Sequence, residues 1–244
     1  MDKKRNAVMR EIIKKVSKNK ISTTEVADCL GKTGAIPDIA PINKGHFRVG
    51  RVFLAYGYDA SNWAIHEQIE GVKEGDIVVV ESYNCGKRAA FGELVTKYLI
   101  LYKDVSAVVV NGYMRDAHRL IKENFPVWCK GVSPIGYFNE QHEKPLATKI
   151  VSEWKKKYEN AIAICDDGGV VIISSENINR EFLRKLDFIE LQEDIWHHCV
   201  DTKKWSTYDT VCLKKYFDTE LLPVELRDKF RAFLKEIERG GRKV

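Results

Sequence analysis

The sequence predicts a layered α/β domain with a mixed sheet and helices flanking it at both termini. Two observations made on the residues alone carry most of this. The apolar runs at 77–80 (IVVV) and 107–110 (AVVV) are too short for core helices and suit strands covered on both faces. Helix-period segments stand between them, giving a strand, helix, strand alternation. A third, AIAICDDGGVVII at 161–173, splits two apolar runs with a turn tetrapeptide, a hairpin signal that adds antiparallel pairing to the sheet.

In chain order, residues 4–18 put Ala7, Val8, Ile12, Ile13 and Val16 on one face with lysines opposite, an amphipathic helix. Ser22 or Thr23 caps a short helix carrying Val26 and Leu30, and Pro37 and Pro41 force an extended connection. FRVGRVFLAYG alternates as a strand, and SNWAIHEQIEGV follows as a helix capped by Ser61 or Asn62. After the 77–80 strand, FGELVTKYLILY reads as a helix, VSAVVVNG as a strand, MRDAHRLIKE as a short helix and FPVWCKG as a brief strand. WKKKYE at 154–159 reads as a solvated charge run, and the 161–173 turn is expected to draw a positive φ from Gly168. Beyond Ser175 the pattern is helical, and a last amphipathic stretch groups Leu226, Phe230, Phe233, Leu234 and Ile237 before Gly240 and Gly241. The expected organisation is one domain over 1–215, with 1–19 as its N-terminal helix, and a C-terminal helical extension over 216–244.

Composition narrows the function classes. Of 244 residues, 44% are hydrophobic and 31% charged, the balance of a globular protein and not of a disordered one. The net charge of +5 comes from cations crowded near the two ends, and no RNA-binding or zinc-finger signature accompanies it, so the pattern does not point to nucleic acid. The six cysteines form no C-x-x-C pair and read as buried hydrophobes. No apolar segment follows the basic start, and no run approaches the roughly 18 residues of a membrane span. A cytoplasmic protein with reduced thiols is expected.

The chemistry concentrates where two buried strands end in polar turns, since ligands of open α/β sheets settle at the carboxyl ends of strands. Arg115 offers a planar fork for a carboxylate, and Asp116 a hard oxygen ligand for a magnesium-like ion. Together they suit a 2-oxo acid. The turn at Phe91, Gly92, Glu93 and Leu94 opens a helix whose free N–H groups suit a carboxylate or an enolate oxygen, and Glu93 is placed to orient a metal-bound water. On spacing alone, the Arg-Asp neighbours read equally well as a solvated pair at a helix start. His197 and His198 are adjacent and diverge on a helix by about 100°, which argues against a zinc site.

Beyond these, Ser22-Thr23-Thr24 with Asp28, Gly50, Ala64-Ile65-His66, Gly75-Asp76, Gly92-Glu93-Leu94, Asn111-Gly112, Arg115-Asp116, Pro126-Val127, Gly131-Val132 and Asp166-Asp167-Gly168 occur in order. In these, over about residues 20–210, the sequence resembles the family of the regulator of ribonuclease activity A and of 4-hydroxy-4-methyl-2-oxoglutarate aldolase. The resemblance implies a β/β/α swivelling-type domain assembled as a homotrimer or hexamer with sites between subunits, a magnesium (or manganese) ion on Asp116, and substrate bound by Arg115. It also implies substrate contacts at Gly92 and at the N–H groups of Leu94 and Val95. The implied catalytic residues are Arg115, Glu93 and a glutamate from a neighbouring subunit, best matched by Glu193. The activity implied is metal-dependent cleavage or decarboxylation of a 2-oxo acid through pyruvate enolate. The alternative is a non-catalytic regulator that binds a ribonuclease or another protein. The chain departs from the aldolases in having Glu93 for an aspartate, with twenty-one residues before Arg115 instead of twenty. It also has Arg119 where some members carry an acid.

Overall fold

The computed structural model describes residues 3–239. It divides into two compact units, Met1–Arg180 and Glu181–Val244, so compactness breaks the chain earlier than the position 215 expected from sequence. The first unit holds helices α1 (Lys3–Asn19) and α2 (Thr23–Cys29), then strands β1 (Ala40–Pro41) and β2 (Arg48–Tyr58), then α3 (Trp63–Gln68) and β3 (Ile77–Tyr83). Next come α4 (Glu93–Lys97), β4 (Ala107–Met114), α5 (Ala117–Lys122), β5 (Val127–Val132), α6 (Thr148–Tyr158), β6 (Ile162–Asp166) and β7 (Gly169–Ile173).

These strands form one sheet in the order β1-β5-β4-β3-β2-β6-β7. The central four are parallel and the outer pairings antiparallel, the mixed α/β fold expected. In β3 and β4 the apolar runs are fully buried because both faces are covered. Val78, Val80, Val108 and Val110 join Ile65, Leu99 and Leu120 on one side. Ile77, Val79 and Val109 join Trp128 and Tyr158 on the other. Alternate residues of one strand thus feed two cores.

Local chemistry sets the element ends. Ser22 caps α2 in a full capping box with Glu25. The helix read over FGELVTKYLILY is regular only through Lys97 and continues as a wide π-type turn over Tyr98–Tyr102. Three expectations need correction. The run at 154–159 is solvated only in part: Lys155 and Lys156 face outward as expected, but Tyr158, the last residue of α6, is completely buried. In the β6–β7 turn the positive φ, +126°, falls on Gly169 and not on Gly168. Five cysteines are buried, but Cys212 is exposed.

The second unit contains α7 (Arg180–His197), which starts at the boundary, and α8 (Val224–Arg239). Ile195, Cys199, Tyr216, Leu222 and Phe230 form its core, with Phe188 stacked on Phe233 at 4.7 Å between ring centres. Phe230, Leu226 and Leu234 face inward as the pattern predicts, whereas Gly240 and Gly241 lie outside the described residues. Among the described residues no helix is long and apolar enough to cross a membrane.

Candidate active site

Residues 89–91 run between the ends of β4 and the segment at 135–137, and this fixes the site. Ala90 N–H donates to Tyr113 O (2.8 Å), Arg115 N–H to Phe91 O (3.0 Å), and Ala89 N–H to Ile135 O (2.8 Å). The pairing of β4 with β5 shifts register between Val110 and Tyr113, an irregularity that redirects the chain just before Arg115.

Asp116 then sits in left-handed backbone at φ 59°, ψ 33°, a conformation that aspartate and asparagine adopt more readily than other non-glycine residues. Its main-chain carbonyl accepts the first bonds of α5, from Arg119 N–H and Leu120 N–H, but its side chain does not cap that helix. Asp116 Oδ2 accepts instead from Glu93 N–H at 3.2 Å and lies 3.7 Å from Arg115 Nε. Gly92 makes this approach possible, because a Cβ there would stand 2.1 Å from Asp116 Oδ2 and 2.7 Å from Arg115 Cγ.

Arg115, Asp116, Gly92 and Glu93 are therefore brought together as the spacing suggested. The Arg115 and Asp116 side chains stay 50% and 39% exposed, open to a ligand. No side chain caps α4, which leaves the first-turn N–H groups of Leu94 and Val95 without an intrahelical acceptor. The Glu93 side chain, only 15% exposed, lies 3.8 Å from Lys97 Nζ and 3.8 Å from Arg119 Nη1. It is flanked by two cations and not pointed at Asp116 alone. Glu193 belongs to the other unit, partly buried on α7.

Sequence reasoning missed what lies beside Arg115. A cavity of about 40 Å³ is lined by Asn62, Phe91, Arg115, Tyr137, Asn139 and the small residues Ala89, Ala90 and Gly136; Asp116 is not among them. Asn62 looked like a helix cap. Its side chain does not cap α3; Nδ2 donates to Ala90 O at 3.1 Å. Gly136 packs against the guanidinium, its added Cβ falling 2.8 Å from Arg115 Nη1. Nothing periodic marks residues 133–147, so no signal in that stretch foretold its role.

A family model, Aldolase/RraA, matches residues 23–172. The chain belongs to the RraA-like family. Members of it include aldolases and regulators of ribonuclease activity. Legionella pneumophila protein DlpA is 22% identical over 181 residues, 72% of this chain and 29% of that protein. A protein of Halalkalibacterium halodurans provisionally named 4-hydroxy-4-methyl-2-oxoglutarate aldolase is 27% identical over 114 residues, 46% of this chain and 54% of that one. The chain thus spans under a third of one curated relative and about half of the other. Among solved structures, an uncharacterized protein from Pseudomonas syringae pv. tomato aligns with TM-score 0.60 at 18% identity, covering 79% of this chain and 93% of that one. Streptomyces coelicolor RraAS2, described as an unusual member of the RNase ES inhibitor RraA protein family, aligns with TM-score 0.58 at 20% identity, covering 75% and 96%. At these identities the structural likeness establishes the RraA-like fold alone.

Proposed function

We propose that the chain is a divalent-metal-dependent lyase that cleaves or decarboxylates a small 2-oxo acid through a pyruvate enolate. The observation that carries this reading is the open pairing of Arg115 with Asp116 against Gly92, where one carboxylate oxygen meets a single N–H at 3.2 Å and a guanidinium at 3.7 Å. A carboxylate so sparsely satisfied keeps lone pairs for a cation.

The residues fit one kind of metal site better than another. Among the described residues no three His, Cys, Asp or Glu side chains cluster as ligands, which disfavours a closed zinc cage within this chain. A single carboxylate suits magnesium, which keeps several waters, and manganese takes the same hard oxygens. Bound there, such an ion would supply positive charge against the oxo oxygen.

In this reading Arg115 binds the substrate carboxylate through two parallel hydrogen bonds, and the N–H groups of Leu94 and Val95 face the same anionic end. Glu93 orients water beside Asp116. Glu193 of a neighbouring copy, in a homotrimer or hexamer, completes the site. Exposed apolar side chains such as Leu94 (78%), Ile121 (55%) and Val132 (55%) support an assembly that covers this region. The carbon–carbon electron pair moves into the oxo-acid fragment as enolate. In aldol cleavage the hydroxyl proton is released and one proton is taken up at the enolate carbon. In decarboxylation carbon dioxide leaves and solvent supplies the proton.

A second reading, a regulator that binds a ribonuclease or another protein, is favoured by the engagement of Glu93 with Lys97 and Arg119, which ties up a carboxylate that catalysis would use. Pyruvate release from oxaloacetate and from 4-hydroxy-4-methyl-2-oxoglutarate, with magnesium, manganese or chelator, separates the two. Metal-dependent release is expected. Turnover indifferent to chelator removes the metal mechanism, and no turnover on either acid favours the regulator.

A further inference from the structure

Strand β2 changes partners along its length. Residues 48–51 pair antiparallel with β6, and residues 52–58 pair in parallel with β3. Along a strand the N–H and C=O of one residue point to one edge and those of the next residue to the other. The even-numbered residues of β2 face away from β3. Val52 N–H donates to Ala161 O at 3.0 Å, and Tyr56 makes both its main-chain bonds to the Gln68 side chain. There Tyr56 N–H donates to Oε1 at 3.1 Å, and Nε2 donates to Tyr56 O at 3.2 Å. Leu54 lies between these two residues, and its N–H and C=O share their edge. The pairing with β6 has already ended at Arg51, so no strand receives them.

A groove of about 490 Å³ opens over this edge. Its walls are the end of α3 with the 3₁₀ turn Ile69–Gly71 on one side and the last turn of α6 on the other. Phe53, Leu54 and Tyr56 form a half-buried apolar floor. Charge sits at the two ends. At one, Asp76 holds Arg51 through Nε and Nη2, and Lys73 stands exposed beside them. At the other, Lys155 is exposed next to Trp154, whose ring lies 5.5 Å from that of Tyr56. Arg51 and Asp76 neutralise each other, so Lys73 and Lys155 outnumber Glu159, the remaining acid on the rim.

A donor and an acceptor side by side on an open strand edge match the main chain of another extended segment, which is how peptides add to sheets. Gln68 already displays the match. Its primary amide carries the donor and acceptor of a peptide group and stands at Tyr56 where a strand residue would stand.

We propose that this groove takes an extended acidic segment of a partner protein as an added strand on β2. The main chain of the segment pairs with Leu54 and, by displacing the Gln68 amide, with Tyr56. Small apolar side chains cover Phe53 and Leu54, and acidic side chains at either end meet Lys73 and Lys155. Until such a segment arrives, Gln68 shields part of the edge from unselective pairing. The proposal stands apart from the lyase reading, because the groove involves none of Gly92, Glu93, Arg115 or Asp116.

The test follows amide hydrogen exchange by NMR on the full chain, with an acetylated and amidated peptide of three valines between two aspartates as the probe. In the protein alone, Leu54 N–H exchanges much faster than the N–H groups of Phe53 and Ala55, which face β3. The probe slows Leu54 exchange saturably, and the same peptide N-methylated at every valine does not. Lys155→Glu weakens the probe by about fivefold, the scale of an exposed ion pair. Gln68→Ala tightens it by about tenfold, since two exposed hydrogen bonds no longer have to be displaced. A probe that binds as well when N-methylated, or one without saturable effect at millimolar concentration, overturns the proposal. So does a Leu54 amide already protected in the protein alone; if that protection grows with protein concentration, the edge belongs to a second copy of this chain. Weaker binding by Gln68→Ala at an unchanged thermal midpoint overturns the displacement.

Discussion

Two acidic side chains lie near the carboxyl ends of adjacent parallel strands, and they are treated in opposite ways. Glu81, on β3, is 5% exposed and engaged at both oxygens: Asn111 Nδ2 donates to Oε2 at 2.7 Å, and Tyr158 OH donates to Oε1. Asp116, after β4, is 39% exposed and has one N–H and one distant cation. A carboxylate out of water must have its lone pairs filled by the protein, and Glu81 pins α6 to the sheet through Tyr158. Asp116 stays in contact with solvent, and its backbone is held in an unfavourable conformation by the bonds around it. Position at a strand end therefore does not by itself mark a functional acid; the two carboxylates differ in whether an oxygen is left open to a ligand.

The largest effect that would sharpen this contrast is on turnover. Arg115→Ala should lower the rate of pyruvate formation by about 10²–10³-fold, the usual cost of one preorganised donor, with the thermal midpoint nearly unchanged because the side chain is half exposed. Steady-state kinetics alongside a melting curve checks it, and a variant that also unfolds early would recast Arg115 as structural. Glu81→Leu should do the reverse, costing about 2–5 kcal/mol of stability by leaving Tyr158 OH and Asn111 Nδ2 unpaired, as read by urea unfolding.

A milder perturbation is alkali. Burial pushes the Cys129 thiol from 9.0 up to about 11, and burial together with Glu81 raises the Tyr158 phenol above 10.0. An acid whose folded value is raised stabilises the fold below its unfolded value, and that contribution is lost as pH climbs towards the folded value. Stability should therefore be flat up to about pH 9 and decline from there towards pH 11, measured by denaturant midpoints across that range. A midpoint that holds to pH 11 would show these groups to be less enclosed than described. The smallest effect is chemical labelling: iodoacetamide at neutral pH should modify Cys212, the exposed thiol, and reach the other five only after unfolding, as mass spectrometry would resolve.

Much of the fold was legible because its strands are unusually plain. The runs in β3 and β4 are apolar throughout, as strands covered on both faces must be, and the β6–β7 turn carries its own signal. Helix α6 was not read because three consecutive lysines obscure Val151, Trp154 and Tyr158, which return to one face at helical spacing. Of the candidate site, the place of Arg115 and Asp116 after a buried strand was legible, but spacing alone left them equally readable as a solvated pair, and the family resemblance turned the reading towards a site. Asn62 was not, because its importance lies in a long-range bond to Ala90 and in an oxygen with no partner, and neither leaves a periodic trace. The segment at 133–147 has no regular element until α6, and pattern reading has nothing there to hold.

The most direct test of the central claim is pyruvate release from oxaloacetate as magnesium is titrated, with the spontaneous metal-promoted reaction subtracted, for wild-type protein and Asp116→Asn. The account predicts saturable activation abolished by chelator in the wild type, and a variant that needs far more magnesium or fails to respond. Identical magnesium curves for the two proteins, or release that persists in chelator, would contradict it.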